Sequence, residues 1–257
     1  MPSFNGIQLS GFWIILMLIL IRYLVIAFLL FFVFYYVKKK RWAFKKIQLK
    51  FPRMNDYARE ISYSILTSFI FAGIGYILFF TPIKKFTYLY TSISDFGWTY
   101  FFVSILLMLL IHDTYFYWTH RAMHHPRIFK WFHQVHHQSM NPSPWAAYSF
   151  HPLEAVVEAS IIVVLAFVMP VHPLSISLFL LIMMIYNVYG HLGYEIYPSG
   201  FSNSIIGKWI NTSLSHNQHH QFFDGNYGLY FLWWDRWMGT LRSDYTSQFE
   251  KIKSRVP

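Results

Sequence analysis

Two long stretches almost without charge dominate what this chain can fold into. From Gly11 to Val37 one charge, Arg22, interrupts an apolar run, and from Ile61 to Phe80 there is none before Pro82 closes the segment. Runs of this length match single crossings of a hydrocarbon core about 30 Å thick, because a helix rises about 1.5 Å per residue and satisfies its own backbone hydrogen bonds. A third run extends from about Trp98 to Trp118. Two shorter ones, Ala155 to Met169 and Leu174 to Tyr189, are split by Pro170-Val171-His172-Pro173, and both a pair of thin crossings and a re-entrant hairpin satisfy that pattern. Of the 257 residues 12% are charged and 55% hydrophobic, against about 25% charged in a soluble domain. The fold class expected is all-α: a polytopic membrane helical bundle, neither a water-soluble globule nor a disordered chain.

Basic residues outnumber acidic ones 21 to 11, a formal charge of +10. Their placement argues for membrane topology and against nucleic acid as a partner. No Lys or Arg precedes the first apolar run, whereas Lys38, Lys39, Lys40, Arg41, Lys45, Lys46, Lys50, Arg53 and Arg59 follow it. The positive-inside rule then places the N-terminus outside and this loop in the cytoplasm. A signal peptide would need a basic start and a small-residue cleavage site, and neither is present. The second run is followed only by Lys84 and Lys85, as an outside loop should be. From Arg121 to Arg255 the basic residues fall on segments that return to the cytoplasmic side, where some could hold anionic headgroups. Arg22 has two readings: a side chain reaching for an interface, or a partner for a lipid or an acid deep in the bundle.

Thirteen histidines exceed the acidic residues, and there is no cysteine. Disulfides, thiolate metal sites and cysteine nucleophiles are therefore excluded, and any metal must be held mainly by imidazole. Twelve of the thirteen follow residue 111 on segments assigned to the cytoplasmic face, His172 being the exception. They cluster as His120, His124 and His125; as His133, His136 and His137; as His216, His219 and His220; and singly as His191. Residues three or four apart share a helix face, so each cluster is expected to aim its rings at a common point. His125 lies about 140° from His120 on a helix and should point elsewhere unless the helix ends there. Nine imidazoles (His120, His124, His133, His136, His137, His191, His216, His219 and His220) are too many for one zinc with an open position. They suit two ions with four or five rings each and room for dioxygen or water. Iron, zinc, copper and nickel all accept neutral imidazole. Asp113, seven residues before His120, suits a carboxylate that orients a ligand's second nitrogen. His112, His125, His151 and His172 are read as ordinary polar groups, with His151, beside Glu154, also placed to support the site.

The ordered set of motifs resembles the membrane-bound sterol desaturase and fatty acid hydroxylase superfamily over roughly residues 98 to 242. The motifs are Asp113 with Tyr117-Trp118-Thr119-His120-Arg121 and His124-His125, then Trp131-Phe132-His133 with His136-His137. Phe150-His151-Pro152-Leu153-Glu154 and Gly190-His191 with Gly193-Tyr194-Glu195 follow. The last are His216 with His219-His220, Asn226-Tyr227-Gly228, Trp234-Asp235-Arg236 and Gly239-Thr240. The resemblance implies a helical membrane bundle with a cytoplasmic histidine-rich cap, two non-haem iron ions held by the nine histidines, and dioxygen as co-substrate. It implies hydroxylation or desaturation of a lipid C–H bond. Residues 1–97 would then form N-terminal membrane helices and a basic loop, 98–242 the catalytic domain, and 243–257 a tail. Some members of that family place a second histidine where this chain has Glu195, which could ligate a metal, bind a bridging water or brace the site. Some carry a fused haem domain; here the electrons are expected from a separate ferredoxin, cytochrome or reductase, since there is also no dinucleotide fingerprint. The aromatic stretch from Phe222 to Trp237 suits an interfacial layer. Two other functions compete. A metal-dependent membrane hydrolase would call for a His-Glu-x-x-His helix, which is absent. A haem- or metal-carrying membrane protein would pair its histidines within spans, whereas these sit at span ends.

Overall fold

The first long helix, α1 (Gly6–Phe31), continues through a wider π-type turn, Phe32–Val37, and stops where the lysines begin. The computed structural model describes residues 6–256, with side chains from residue 10 onward. Its regular elements are all helical, and the β pairings among the described residues are isolated bridges. α2 (Met54–Phe80) starts where Asp56 accepts the Arg53 amide at 2.9 Å, an acidic group at the positive end of a helix. α3 (Gly97–Met123) gives way to two short helices, α4 (Pro126–Phe132) and α5 (Gln134–His137). α6 (Pro152–Val168) and α7 (Pro173–Gly190) form a hairpin. Pro126, Pro152 and Pro173 each open a helix, where the missing N–H has no partner to lose and the ring presets φ. α8 (Ser213–Phe222), α9 (Trp233–Trp237) and α10 (Tyr245–Lys253) complete the cap.

Four helical segments, Ser10–Val37, Met54–Phe80, Gly97–Met123 and Pro173–Gly190, are long and apolar enough to cross a membrane. The outward face of α1 is apolar, with Ile14, Met17, Leu18 and Ile21 all exposed, a surface that matches lipid and not water. The chain is an integral membrane protein. α6, at about 1.5 Å per residue, falls short of a 30 Å core. Its hairpin with α7 nonetheless reaches the far end of the bundle, where Tyr88 donates to the Ala166 carbonyl at 2.8 Å and Tyr90 to that of Val171 at 3.2 Å. The tip of the hairpin therefore sits beside the α2–α3 connection, opposite the histidines.

α1 packs on α2 and α7, α2 on α6, and α3 on both α6 and α7. One apolar core lies beneath the histidine end, around Tyr23, Phe116, Tyr148, Phe150 and Met184; another fills the far end, around Leu78, Phe101, Leu165 and Phe179. Between α5 and α6 the chain makes an inward excursion. Ser143 Oγ donates to the Glu60 carboxylate, while Tyr23 Oη and Ser64 Oγ donate to the Trp145 carbonyl at 2.9 and 3.0 Å. Ala146 and Ala147 are fully buried. Their small side chains let the turn Pro144–Tyr148 wedge between helices and carry Tyr148 and Phe150 into the core. The C-terminal segment also belongs to the body of the cap. α10 buries Tyr245, Phe249 and Ile252 against Leu214 and Leu232, and Lys253 Nζ donates to the Glu195 carbonyl at 2.6 Å.

Candidate metal centre

The nine clustered histidines meet at one end of the bundle, but at two points. His120, His124, His133, His137 and His219 form one group, and His136, His191, His216 and His220 the other; within each, one ring nitrogen per residue lies within 4.8 Å of all the rest. The sequence clusters do not each aim at a single point, because helical geometry divides them. The three i,i+4 pairs, 120/124, 133/137 and 216/220, stay together on one stripe. His136 and His219, each adjacent to a member of such a pair and about 100° from it, cross to the opposite group. The two groups abut, with the His137 and His220 rings stacked at 4.9 Å.

The hydrogen bonds fix which nitrogen carries the proton. Nδ1 of His120 lies 2.8 Å from the Tyr227 carbonyl, that of His191 2.7 Å from Asn187, that of His219 2.8 Å from Gly225 and that of His136 3.3 Å from Ser149. His133 Nδ1 meets Glu154 Oε1 at 2.6 Å. Carbonyl and carboxylate oxygens only accept, so each of these Nδ1 atoms holds the hydrogen and each Nε2 presents a lone pair. Yet the Nε2 atoms face one another: His120 and His133 at 2.9 Å, His124 and His219 at 3.1 Å, His136 and His191 at 3.2 Å, His191 and His216 at 3.0 Å. In the 120/133 and 136/191 pairs both tautomers are fixed, and lone pairs at that distance repel. Left unmet, these five buried acceptors at about 1–3 kcal/mol each would rival the roughly 5–15 kcal/mol by which a domain is stable. A cation between them removes the conflict, and nitrogens about 3.0 Å apart subtend a right angle at an ion about 2.1 Å from each. The residues therefore fit a pair of metal ions with all-imidazole ligation.

The same burial keeps the rings neutral, as ligation requires. It pushes His133, His136, His137, His216, His219 and His220 well below the usual histidine range, and the neighbouring imidazoles push in the same direction. Burial brings His191 to about 4, the Asn187 carbonyl working against it.

Asp113 does not touch an imidazole nitrogen. Two helical turns separate it from His120, about 10 Å along the axis, and its Oδ1 instead accepts the Tyr230 and Phe231 amides at 2.8 and 3.2 Å. The carboxylate on a ring is Glu154, brought to His133 by the first turn of α6. The sequence signal for it is an acidic residue just after His151-Pro152, but its partner comes only with the tertiary fold. Glu195 lies outside both nitrogen groups. Its carboxylate accepts the Tyr197 amide at 3.0 Å and the Leu214 amide at 3.1 Å, so it braces the start of α8, which carries three of the nine rings. Burial raises its pKa above the ordinary carboxylate value. Asp235 likewise accepts the Tyr227 and Gly228 amides, both at 2.8 Å, holding the loop whose carbonyl anchors His120.

Outside the groups, His125, His151 and His172 each precede a proline and cap the following helix, their Nδ1 accepting the amides of Arg127, Leu153 and Leu174 at 3.3, 3.3 and 3.1 Å. The repeated His-Pro pair is the sequence signal for that role. His112 bonds through Nδ1 to Tyr230 Oη at 2.9 Å.

Beneath the histidines a cavity of about 460 Å³ runs down the middle of the bundle. Its upper wall includes Phe116, whose ring lies 4.9 Å from that of His120, and Phe150, whose ring lies 5.1 Å from that of His136. The cavity thus abuts one member of each nitrogen group. Along α7 its lining runs from Pro173 to Asn187, about 21 Å at 1.5 Å per residue.

The fatty acid hydroxylase family model matches residues 105–240. The chain is similar to the lathosterol oxidase of Mus musculus, 32% identical over 207 residues that cover 79% of this chain and 67% of that protein. It is similar to the lathosterol oxidase of Homo sapiens, 31% over 214 residues, 81% of this chain and 69% of that one. The Delta(7)-sterol 5(6)-desaturase ERG3B of Gibberella zeae is 31% identical over 193 residues, 74% of this chain and 57% of its own. The chain therefore spans 57% to 69% of the length of these relatives. No solved structure matches it.

Proposed function

This chain belongs to the fatty acid hydroxylase family, and from that membership we propose that it is a membrane-bound oxidoreductase that uses dioxygen to hydroxylate or desaturate a C–H bond of a lipid. The observation that carries the reading is the set of nine converging imidazoles, eight of them buried, directly above a largely apolar, lipid-sized cavity. The metal pair is iron, with His120, His124, His133, His137 and His219 around one ion and His136, His191, His216 and His220 around the other. Bound there, the irons supply the redox chemistry that activates dioxygen, which no amino-acid side chain provides. Hydroxylation consumes one dioxygen, two electrons and two protons, placing one oxygen atom in the lipid and releasing the other as water. Desaturation consumes the same reagents and releases both oxygens as water. The electrons come from a separate ferredoxin, cytochrome or reductase, and the histidine end faces the cytoplasm, in keeping with the basic residues around it.

The residues of this chain orient and insulate. The carbonyls of Tyr227, Gly225, Asn187 and Ser149 and the carboxylate of Glu154 hold the Nδ1 protons, so every one of those Nε2 atoms is free to ligate. Phe116 and Phe150 form an apolar wall against which a hydrocarbon segment lies close to both groups. Burial excludes water from the same place.

Total lipid extracts of cells with and without the protein, compared by mass under labelled dioxygen, test the proposal. The expected change is a lipid that has gained one labelled oxygen atom or lost two hydrogen atoms. It should be absent in His219→Ala, which should also retain less iron. Identical extracts, or a product that forms without dioxygen, would overturn it.

A further inference from the structure

The cavity is not uniformly apolar, and its charges are ordered along its length. Arg22, within the span Ser10–Val37, lines it and donates to Ser177 Oγ at 3.3 Å. Among the described residues no carboxylate lies within ion-pair distance of its guanidinium; the acidic partners are Asp56, Glu154 and Asp244, all with other bases. A guanidinium has five N–H donors, and a cation at membrane depth is costly enough to be retained for a partner. Ser177 lies one turn into α7, at the end of the bundle away from the histidines, and Lys84, also lining the cavity, belongs to the connection at that same end. Glu158, the acid in the lining, stands about 9 Å into α6 from the histidine end, six residues at 1.5 Å each. The two cations of the lining, Arg22 through its reach from mid-span to Ser177 and Lys84 from the connection, thus both stand toward the part of the cavity away from the histidines, where an anionic headgroup meets them.

Resting on the oxidoreductase reading, we propose that Arg22 is the headgroup anchor of the substrate, and that the substrate is an anionic single-chain lipid, a long-chain carboxylate oxidised toward its methyl end. The carboxylate accepts from the Arg22 guanidinium, and the chain fills the apolar channel past Ile19, Leu180 and Met183 to Phe116 and Phe150. From Ser177 to His191 the separation is about 21 Å along α7, which sets the reacting carbons far from the head. A sterol oxidised in its second ring carries its hydroxyl a few bonds from the reacting carbons. Seated here, it would turn its hydrocarbon end toward an unpaired guanidinium.

Equilibrium binding of labelled palmitate and of its uncharged methyl ester to the full-length protein in nanodiscs, with iron and after chelation, tests this without turnover. The wild type should prefer palmitate by about tenfold or more, the worth of one charge-assisted hydrogen-bonded contact. Arg22→Gln should erase that preference while leaving the ester's affinity and the iron content unchanged; Arg22→Lys should keep part of it. Equal binding of acid and ester by the wild type would overturn the proposal even if the variants fail to fold. So would an Arg22→Gln protein that still prefers the acid, or displacement of palmitate by a sterol at lower concentration than by stearate. Loss of lipid oxidation with the preference intact would instead count against the oxidoreductase reading alone.

Discussion

At the level of single residues, the site depends on who holds the second nitrogen of each ring. Among the described residues His133 is the one histidine whose Nδ1 faces a carboxylate, Glu154, at 2.6 Å, with both side chains almost fully buried. Such a partner fixes the tautomer and raises the basicity of the other nitrogen, and losing it usually weakens a metal site by about 10–100-fold. Glu154→Ala is expected to show a loss of that order in a chelator competition, and Glu154→Gln, which can still accept from Nδ1, a smaller one. His172→Ala removes the cap at the start of α7, the end of that helix far from both groups, so its metal retention should match the wild type; chelator curves for Glu154→Ala that overlie it would sink the role given to Glu154.

Among the elements, the segment just after α7 shows how packing places a ligand. Gly193 has φ 72°, and a β-carbon there would lie 2.7 Å from Tyr35 Oη and 3.1 Å from Lys46 Nζ. Only glycine suits that left-handed conformation and close approach, and the turn it makes ties His191 to the basic loop. Lys46 is buried there among Tyr35, Phe51 and Tyr194, with Nζ 5.1 to 5.3 Å from the three ring centroids. Burial pulls its ammonium down to about 7, against about 10.4 in an unfolded chain, and the ring faces favour the cation, so the folded value lies at or above that figure. Between the folded and unfolded values the unfolded chain holds a proton that the folded one lacks, and stability accordingly rises with pH across that window. Thermal unfolding measured from neutral to alkaline pH should show this rise in the wild type and a flatter profile in Lys46→Met. Two parallel profiles would contradict it.

For the molecule as a whole, the direction proposed for the bundle in the membrane rests on charge. The far end exposes the α2–α3 connection with Lys84 and Lys85, while the histidine end carries the first basic loop and α10. The chain has no cysteine, so single-cysteine variants report topology directly. A membrane-impermeant maleimide is expected to label Ser94→Cys on intact cells and Ser254→Cys only after permeabilisation, both positions being exposed. The reverse pattern would place the metal groups outside and remove cytoplasmic electron donors from the proposed reaction.

What the sequence determined by itself is local. Uncharged runs of span length, His-Pro pairs at helix starts and i,i+4 histidines depend on the chain's own rise and twist, so the bundle and the nine clustered rings were legible residue by residue. The tertiary structure alone decided how those rings divide between two groups, that Glu154 and not Asp113 meets an imidazole, and that Glu195 braces α8. It also decided that residues 143–150 turn inward to shape a cavity with Arg22 in its wall. Each of these depends on contacts between residues tens to more than a hundred positions apart, whose geometry is set by how helices pack, and no periodicity within one segment encodes that.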